Sequence, residues 1–322
     1  MAKRPHSQEA PADWRPTQAV PDPILTSPYL EPSRHWIYRG GVPEVAQGRR
    51  PASYWYTSNK VGAAGQQDLL AEEERDELEL VNRLREDVKR WRSSGYRGAS
   101  SVTRDLIAYW TAPDRVAPKR LFYCQVEAVE TIIYLLELAL PGRLGATGFK
   151  NFSVDAALVS TLLAGERPAF ASQDDTNWPR LIDPSGQPAE VPLRRLGCKM
   201  ATGSGKTAVM AMLITWAFLN RARNPTSKQY PNAVLICAPN LTVRDRLEVL
   251  KPEHPWNSYK YFDLVPTKYK DHLGTGKVLV TNWHALQPKG ENDEGGTSYR
   301  VVKKGEETPD AFTRDRLGEL AA

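Results

Sequence analysis

The sequence has little cysteine. Cys124, Cys198 and Cys237 are an odd number, set far apart and each beside apolar residues. No CxxC pair exists, so neither a zinc site nor a disulfide framework is readable, and a reducing, cytoplasmic compartment is expected. A long hydrophobic run is also missing. The longest, Ala208–Leu219, falls well short of the roughly 20 residues a membrane span needs. The amino terminus, Met-Ala-Lys-Arg-Pro-His, has no apolar stretch of the secretory kind. Charge of one sign is in only slight excess: 43 Lys+Arg against 38 Asp+Glu leave +5. That balance permits an anionic partner without requiring one. No internal repeat is visible. These absences predict a soluble, cytoplasmic protein with no membrane partner.

What is present is enough for a sizeable core. The chain has 322 residues, 41% of them hydrophobic, which excludes wholesale disorder and suggests about two domains. Residues 1–60 are rich in proline, interleaved with Trp14, Tyr29, Trp36, Tyr38, Tyr54, Trp55 and Tyr56. This predicts an extended arm docked by its aromatics. The basic-aromatic cluster from Gly48 to Trp55 offers a second reading, contact with nucleic acid.

Residues 61–117 read as a helical segment. Leu78, Val81, Leu84, Val88 and Trp91 follow the three-four spacing of one helix face, which predicts a helix over 66–91. Another is predicted over 102–110, stopped by Pro113. Residues 118–322 form the third division. A helix over about 123–140 ends at Pro141-Gly142. An insertion at about 142–190 is the least legible part, with a helix at 154–163 and turn material at Asp174-Asp175 and at 183–186.

From Pro192 onward the texture alternates. Strands are predicted over 193–200, 233–238, 261–265 and 277–281, and helices over 206–220 and 242–250, with another after Thr308-Pro309. Strands alternating with helices imply an α/β fold, with a parallel sheet covered by helices on both faces.

The sharpest motif is Lys199-Met200-Ala201-Thr202-Gly203-Ser204-Gly205-Lys206-Thr207. It follows a predicted strand and opens a helix, the context a phosphate-binding loop needs. Small residues let the backbone wrap a β-phosphate with its N–H groups pointing inward, and the helix start adds its positive dipole end. Lys206 reaches the β- and γ-phosphates as a point charge. The Thr207 hydroxyl is a ligand for Mg²⁺ held with the nucleotide. Met200 stands where the general pattern has glycine. The alternative is a structural glycine turn. A guanine-reading Asn-Lys-x-Asp is missing: Asn59-Lys60-Val61-Gly62 and Thr267-Lys268-Tyr269-Lys270 both fail it.

Further motifs carry a resemblance. Leu121-Phe122-Tyr123-Cys124-Gln125-Val126-Glu127-Ala128 looks like the adenine-reading Q-type motif of superfamily 2 helicases, and Ala201–Thr207 resembles their motif I. Val234–Pro239 with Asn240–Leu247 resembles motif Ia, and Val278–Asn282 with Trp283-His284-Ala285-Leu286 resembles the next DNA-contacting motif. The combined wording is similar to the restriction (Res) subunit of type III restriction enzymes and their DEAD/DEAH-box relatives. It covers about residues 118–290, and more weakly 24–56.

The resemblance implies an incomplete first RecA-like lobe over 118–322, with ATP and Mg²⁺ as cofactors. It implies ATP binding by Gln125, Thr202, Gly203, Ser204, Gly205, Lys206 and Thr207, with Phe122 or Tyr123 stacking on the adenine. It also implies contact with double-stranded DNA by Thr242, Arg244, Thr281, Asn282 and His284. The activity implied is that of an ATP-dependent DNA helicase or translocase in restriction-modification defence, with a modification (methyltransferase) subunit as partner.

Superfamily 2 enzymes hydrolyse ATP with an Asp-Glu pair ending a buried strand. The candidate here, Asp293-Glu294, lies between polar and glycine residues and reads as a loop. No catalytic residue is therefore identifiable. A second lobe and a nuclease motif are also missing. The sequence is expected to be the amino-terminal portion of a longer motor, deficient in hydrolysis by itself. The competing readings are a truncated, non-enzymatic ATP- or DNA-binding module and an unrelated P-loop enzyme.

Overall fold

An 18-residue helix organises the larger part of the molecule. Its sequence, rich in Ala, Leu and Met and free of Gly and Pro, favours helix throughout. It is buried on nearly every side, from Ala208 to Asn220, as befits a core helix. It stops before Asn224-Pro225, where proline can neither continue the ladder nor let its predecessor stay helical. In the computed structural model, which describes residues 23–39, 42–57, 73–148, 152–163, 195–286 and 309–320, this helix is the fifth of eight.

The chain divides into two compact units, Met1–Arg50 and Pro51–Ala322. In the first, β1 (Arg34–Arg39) and β2 (Val42–Gln47) pair antiparallel, with Arg34 opposite Gln47 and Arg39 opposite Val42. Gly48 N–H donates to Ser33 O at 2.6 Å, and Arg50 Nη2 donates to Trp36 O at 2.7 Å. Within the predicted arm, residues 34–39 and 42–47 therefore pair as a hairpin, and Ser53–Thr57 is a strand of the second unit.

In the second unit, β3 (Ser53–Thr57) pairs antiparallel with β4 (Glu73–Glu77). Then come α1 (Glu79–Ser93), α2 (Ser101–Trp110) and α3 (Tyr123–Ile133). A π-helical turn, Tyr134–Ala139, extends α3, and α4 spans Ala156–Leu163. The core helix is α5 (Lys206–Arg223). After it follow β5 (Ala233–Ala238), α6 (Leu241–Leu247), the one-turn α7 (Ser258–Tyr261), β6 (Lys277–Asn282) and α8 (Pro309–Leu317).

Strands β5 and β6 are parallel, with Ala233 opposite Lys277 and Ala238 opposite Asn282. Helix α6 packs on both strands, and the 3₁₀ turn Gly318–Leu320 lies against β6. Ile236, Val278 and Val280 join the same buried cluster as Met212, Phe218 and Leu219 of α5 and Leu106, Ile133 and Leu138 of the earlier helices. Gly276, just before β6, is fixed by that packing. A Cβ there would lie 2.4–2.5 Å from the Phe218 ring, too close for any side chain to be tolerated without a shift.

Three predicted elements come out differently. The helix expected over 66–91 begins at Glu79, because Glu73–Glu77 is drawn into a strand. Leu78 N–H donates to Ala52 O at 2.8 Å, and the Asn82 amide accepts from Ala52 N–H at 2.7 Å, so the strand end is tied to the first turn of α1. Residues 66–72 lie outside the described residues. The strand expected over 261–265 is the end of α7 followed by a tight turn at Asp263, φ +50°. Asn257 caps that helix, and Leu264 N–H returns to Tyr259 O at 2.9 Å. The strand expected over 193–200 has no regular structure in its described part, 195–200. Leu196 there is 42% exposed, so its alternating pattern is not used for burial. The expected turns at Asp174-Asp175 and 183–186, and the Asp293-Glu294 loop, lie outside the described residues. The described architecture is α/β, about half helical, with one small parallel pair of strands.

Candidate functional site

The loop from Ala201 to Gly205 turns the chain into α5 through two left-handed glycines. Gly203 has φ +78° and Gly205, the residue preceding the helix, φ +81°. Glycine adopts this conformation at no steric cost. Three donors then close on one carbonyl. Ala201 O accepts from Ser204 Oγ at 2.7 Å, from Lys206 Nζ at 2.9 Å and from Ser204 N–H at 3.3 Å. The lysine is thus folded across its own loop while still exposed. Among the described residues, the N–H groups of Gly203, Gly205, Lys206 and Thr207 have no acceptor. The loop therefore presents unpaired backbone donors, the positive end of a helix and an ammonium group together.

Gln125 completes the arrangement from 79 residues away. It is buried, 4% exposed. Its Oε1 accepts from Phe122 N–H at 2.8 Å, and its Nε2 donates to Ser204 O at 3.1 Å. A side-chain amide offers two donors and two acceptor sites, so one of each stays uncommitted. The contact is tight: a Cβ on Gly205 would sit 2.1 Å from Gln125 Nε2. Phe122 is half-buried beside this amide. Tyr123 is already engaged, with the Arg92 guanidinium 5.5 Å above its ring and its hydroxyl donating to Glu127 at 3.1 Å.

Helix α5 is held from behind by buried polar groups that sequence reasoning overlooked. Glu137, 1% exposed, accepts from Ser100 N–H at 2.6 Å, Thr103 Oγ1 at 2.8 Å, Tyr230 OH at 3.0 Å and Trp216 Nε1 at 3.3 Å. Asn220 adds contacts to Ser100 and Thr103. Burial and the Glu137 charge push the Tyr230 hydroxyl up, so it stays a proton donor. Their signal in the sequence is a polar residue inside an apolar run: Glu137 in Tyr-Leu-Leu-Glu-Leu-Ala, and Asn220 at the end of Trp-Ala-Phe-Leu-Asn. Nearby, the Asp105 carboxylate accepts from Lys268 Nζ at 2.6 Å and Tyr269 OH at 2.7 Å, and these bonds hold it below the usual carboxylate range.

The second group of predicted residues gathers at the carboxyl ends of the parallel strands. Because Ala238 and Asn282 are in register, the segments leaving β5 and β6 emerge on one edge. Asn240 accepts from Val243 N–H at 2.9 Å and so caps α6. Thr242 is exposed in the first turn of that helix. Arg244 is half-exposed, and its Nε and Nη2 donate to Asp245 Oδ1 at 3.0 and 2.8 Å. Thr281 and Asn282 are half-buried, and Asn282 Oδ1 accepts from Ala285 N–H at 3.1 Å. His284 is exposed, packed on the Trp283 ring.

Thr207 lies half-buried in the first turn of α5, and its hydroxyl has no partner among the described residues. That leaves it free to ligate a cation held by phosphate oxygens. Among the described residues, no group of three or more His, Cys, Asp or Glu could hold a metal by itself, and none of the helices is long and apolar enough to cross a membrane. No family model matches the sequence, and no curated protein or solved structure matches it either.

Proposed function

We propose that the chain is the ATP-binding part of an ATP-dependent DNA helicase or translocase resembling the type III restriction enzyme Res subunit. The observation that carries this is the junction of Gln125 with the loop. Two motifs that are separate in sequence meet at the Ser204 carbonyl, beside a lysine, two left-handed glycines and unpaired N–H groups. A structural glycine turn needs neither the lysine across the loop nor a distant amide beneath it.

In this reading the triphosphate lies on the loop N–H groups. Lys206 exchanges Ala201 O for the β- and γ-phosphates, and Thr207 holds Mg²⁺ with them. The uncommitted donor and acceptor of Gln125 read the adenine edge, with Phe122 against the ring. The RecA-like lobe is the finer form of the α/β architecture, with β5 and β6 as two of its parallel strands. Double-stranded DNA follows the edge carrying Thr242, Arg244, Thr281, Asn282 and His284, and a modification subunit is the expected partner.

Part of this reading is that the chain by itself binds ATP weakly and hydrolyses it negligibly, because no Asp-Glu pair ending an apolar strand is identifiable in the sequence. Fluorescent-ATP titration tests binding. Lys206→Ala is expected to weaken it at least about tenfold, since one charge-assisted contact is worth about 1.5–3 kcal/mol. Its unfolding midpoint should not move. ATP should compete better than GTP. Equal competition by GTP favours an unrelated P-loop enzyme. Steady-state ATP turnover with DNA that Lys206→Ala abolishes would refute the statement on hydrolysis.

A further inference from the structure

A cavity of about 270 Å³ opens between the end of the π-helical turn and the start of α4. One wall runs from Ala139 to Gly145. Leu140 N–H reaches back to Leu135 O at 2.8 Å, the wide bond of a π-turn, and such turns often sit at functional sites. Arg143 N–H then donates to Leu138 O at 2.9 Å, and the chain leaves the helix through Gly142, φ +68°. Ala139 and Leu144 are buried and make this wall apolar.

The other wall carries Phe152, Asp155 and Ala157. Between the first two, the backbone is clamped by Asp87 of α1, which is 0% exposed. Ser153 N–H donates to its two oxygens at 2.8 and 2.9 Å, and Val154 N–H to Oδ2 at 2.9 Å. Tyr134, at the head of the π-turn, donates its hydroxyl to the same carboxylate at 3.2 Å. One buried acid thus ties both walls, so the space between them is pre-formed, and a ligand need not spend binding energy opening it.

The lining side chains are apolar except for Asp155. Its Oδ1 accepts from Leu158 N–H at 2.8 Å and caps α4. Its Oδ2 has no partner among the described residues. A lone carboxylate between apolar walls is a poor match for a metal ion, which needs several oxygen ligands. It suits an ammonium group joined to a small apolar body, with the charge against Asp155 and the body against Ala139, Leu144 and Phe152. The volume lies below the roughly 300–1,000 Å³ of sites for drug-sized molecules, which limits that body to about a single ring.

We propose that this cavity binds a small organic ammonium ion, a primary amine carrying an aryl or short alkyl group. It shares no residue with the nucleotide loop, and the proposal stands independently of the nucleotide reading.

Phenethylammonium is the probe, with 2-phenylethanol as an uncharged analogue and 3-phenylpropionate as an anionic one. Amide chemical shifts of the full chain are followed by NMR. Phenethylammonium should bind with a Kd of about 0.1–10 mM, as suits so few atoms, and should shift Gly145, Phe152 and Ala157. The alcohol should bind about 2- to 5-fold more weakly, the worth of one partly exposed charge contact, and the propionate more weakly still. Asp155→Asn keeps the cap on α4, because the amide oxygen also accepts, and should abolish the preference for the ammonium. A Cβ on Gly145 would meet nothing within 4 Å. Gly145→Leu should therefore fill the cavity and remove binding while the unfolding midpoint stays in place. The proposal is overturned by the lack of any shift at these residues, by equal binding of the alcohol, or by a preference that survives Asp155→Asn. Undiminished binding to a folded Gly145→Leu protein overturns it as well.

Discussion

Replacing Gly205 by alanine puts two penalties on one atom. At φ +81° an L-residue costs about 1–2 kcal/mol relative to a right-handed conformation. The new Cβ would also lie 2.1 Å from Gln125 Nε2, so the amide must leave. Its departure breaks the bonds to Phe122 N–H and Ser204 O, each worth about 0.5–1.5 kcal/mol. Alanine recovers about 0.4–1 kcal/mol by stiffening the unfolded chain. The balance is a destabilisation of about 2–3 kcal/mol. Urea unfolding of the full chain measures it, with ATP affinity determined alongside. Gln125→Ala alone should cost the two hydrogen bonds. In the double variant the collision has nothing to strike, so the combined loss should fall short of the sum by about 1–2 kcal/mol. A strictly additive pair, or a Gly205→Ala protein as stable as the wild type, refutes the close approach of amide and loop.

Two further outcomes follow from the same geometry. Glu137→Ala strips the acceptor from Ser100, Thr103, Trp216 and Tyr230, leaving buried donors unpaired. It should cost about 3–5 kcal/mol in denaturant unfolding, and Glu137→Gln distinctly less, because the amide oxygen still accepts. Asp105 is held below its usual range by Lys268 and Tyr269, so the folded protein binds its proton less readily than the unfolded chain. Its contribution is complete above the unfolded value near pH ~4 and disappears as pH falls through the lower folded value. The pair is partly exposed, which limits it to about 1 kcal/mol or less. The stability difference between wild type and Asp105→Asn should therefore shrink on acidification below pH ~4, and a difference that widens there contradicts the assignment.

Legibility in the sequence followed locality. Helix α5 was readable because its apolar run lies between a phosphate-loop motif and Asn-Pro, and β5 because six apolar residues stand between turn residues. The sequence predicts simply more helix where the π-turn follows α3, since nothing in Tyr134–Ala139 separates the two backbone ladders before packing chooses. The segments that differ from the sequence expectation are decided by distant partners. Glu73–Glu77 carries the composition of a solvated helix, yet it pairs with Ser53–Thr57. Tyr261–Val265 has strand-like residues, but the Asn257 cap and the Trp110 Nε1 bond to Leu264 O at 2.8 Å bend it into a turn. In the candidate site, the loop glycines and Lys206 were evident by spacing. That Gln125 lies under Ser204 is a matter of tertiary structure, which a motif reading orders along the chain and does not place.

The meeting of Gln125 with Ser204 also has a tempo. The two residues are 79 positions apart, so on a ribosome adding about 5–20 residues per second the second follows the first by ~4–16 s. Throughout that interval α3 exists without the loop it supports, and the Gln125 amide faces water or a transient neighbour. The loop and the amide beneath it therefore come together only after Ser204 has been added. Until then the nascent chain is exposed to whatever else in the cell binds an unfinished core.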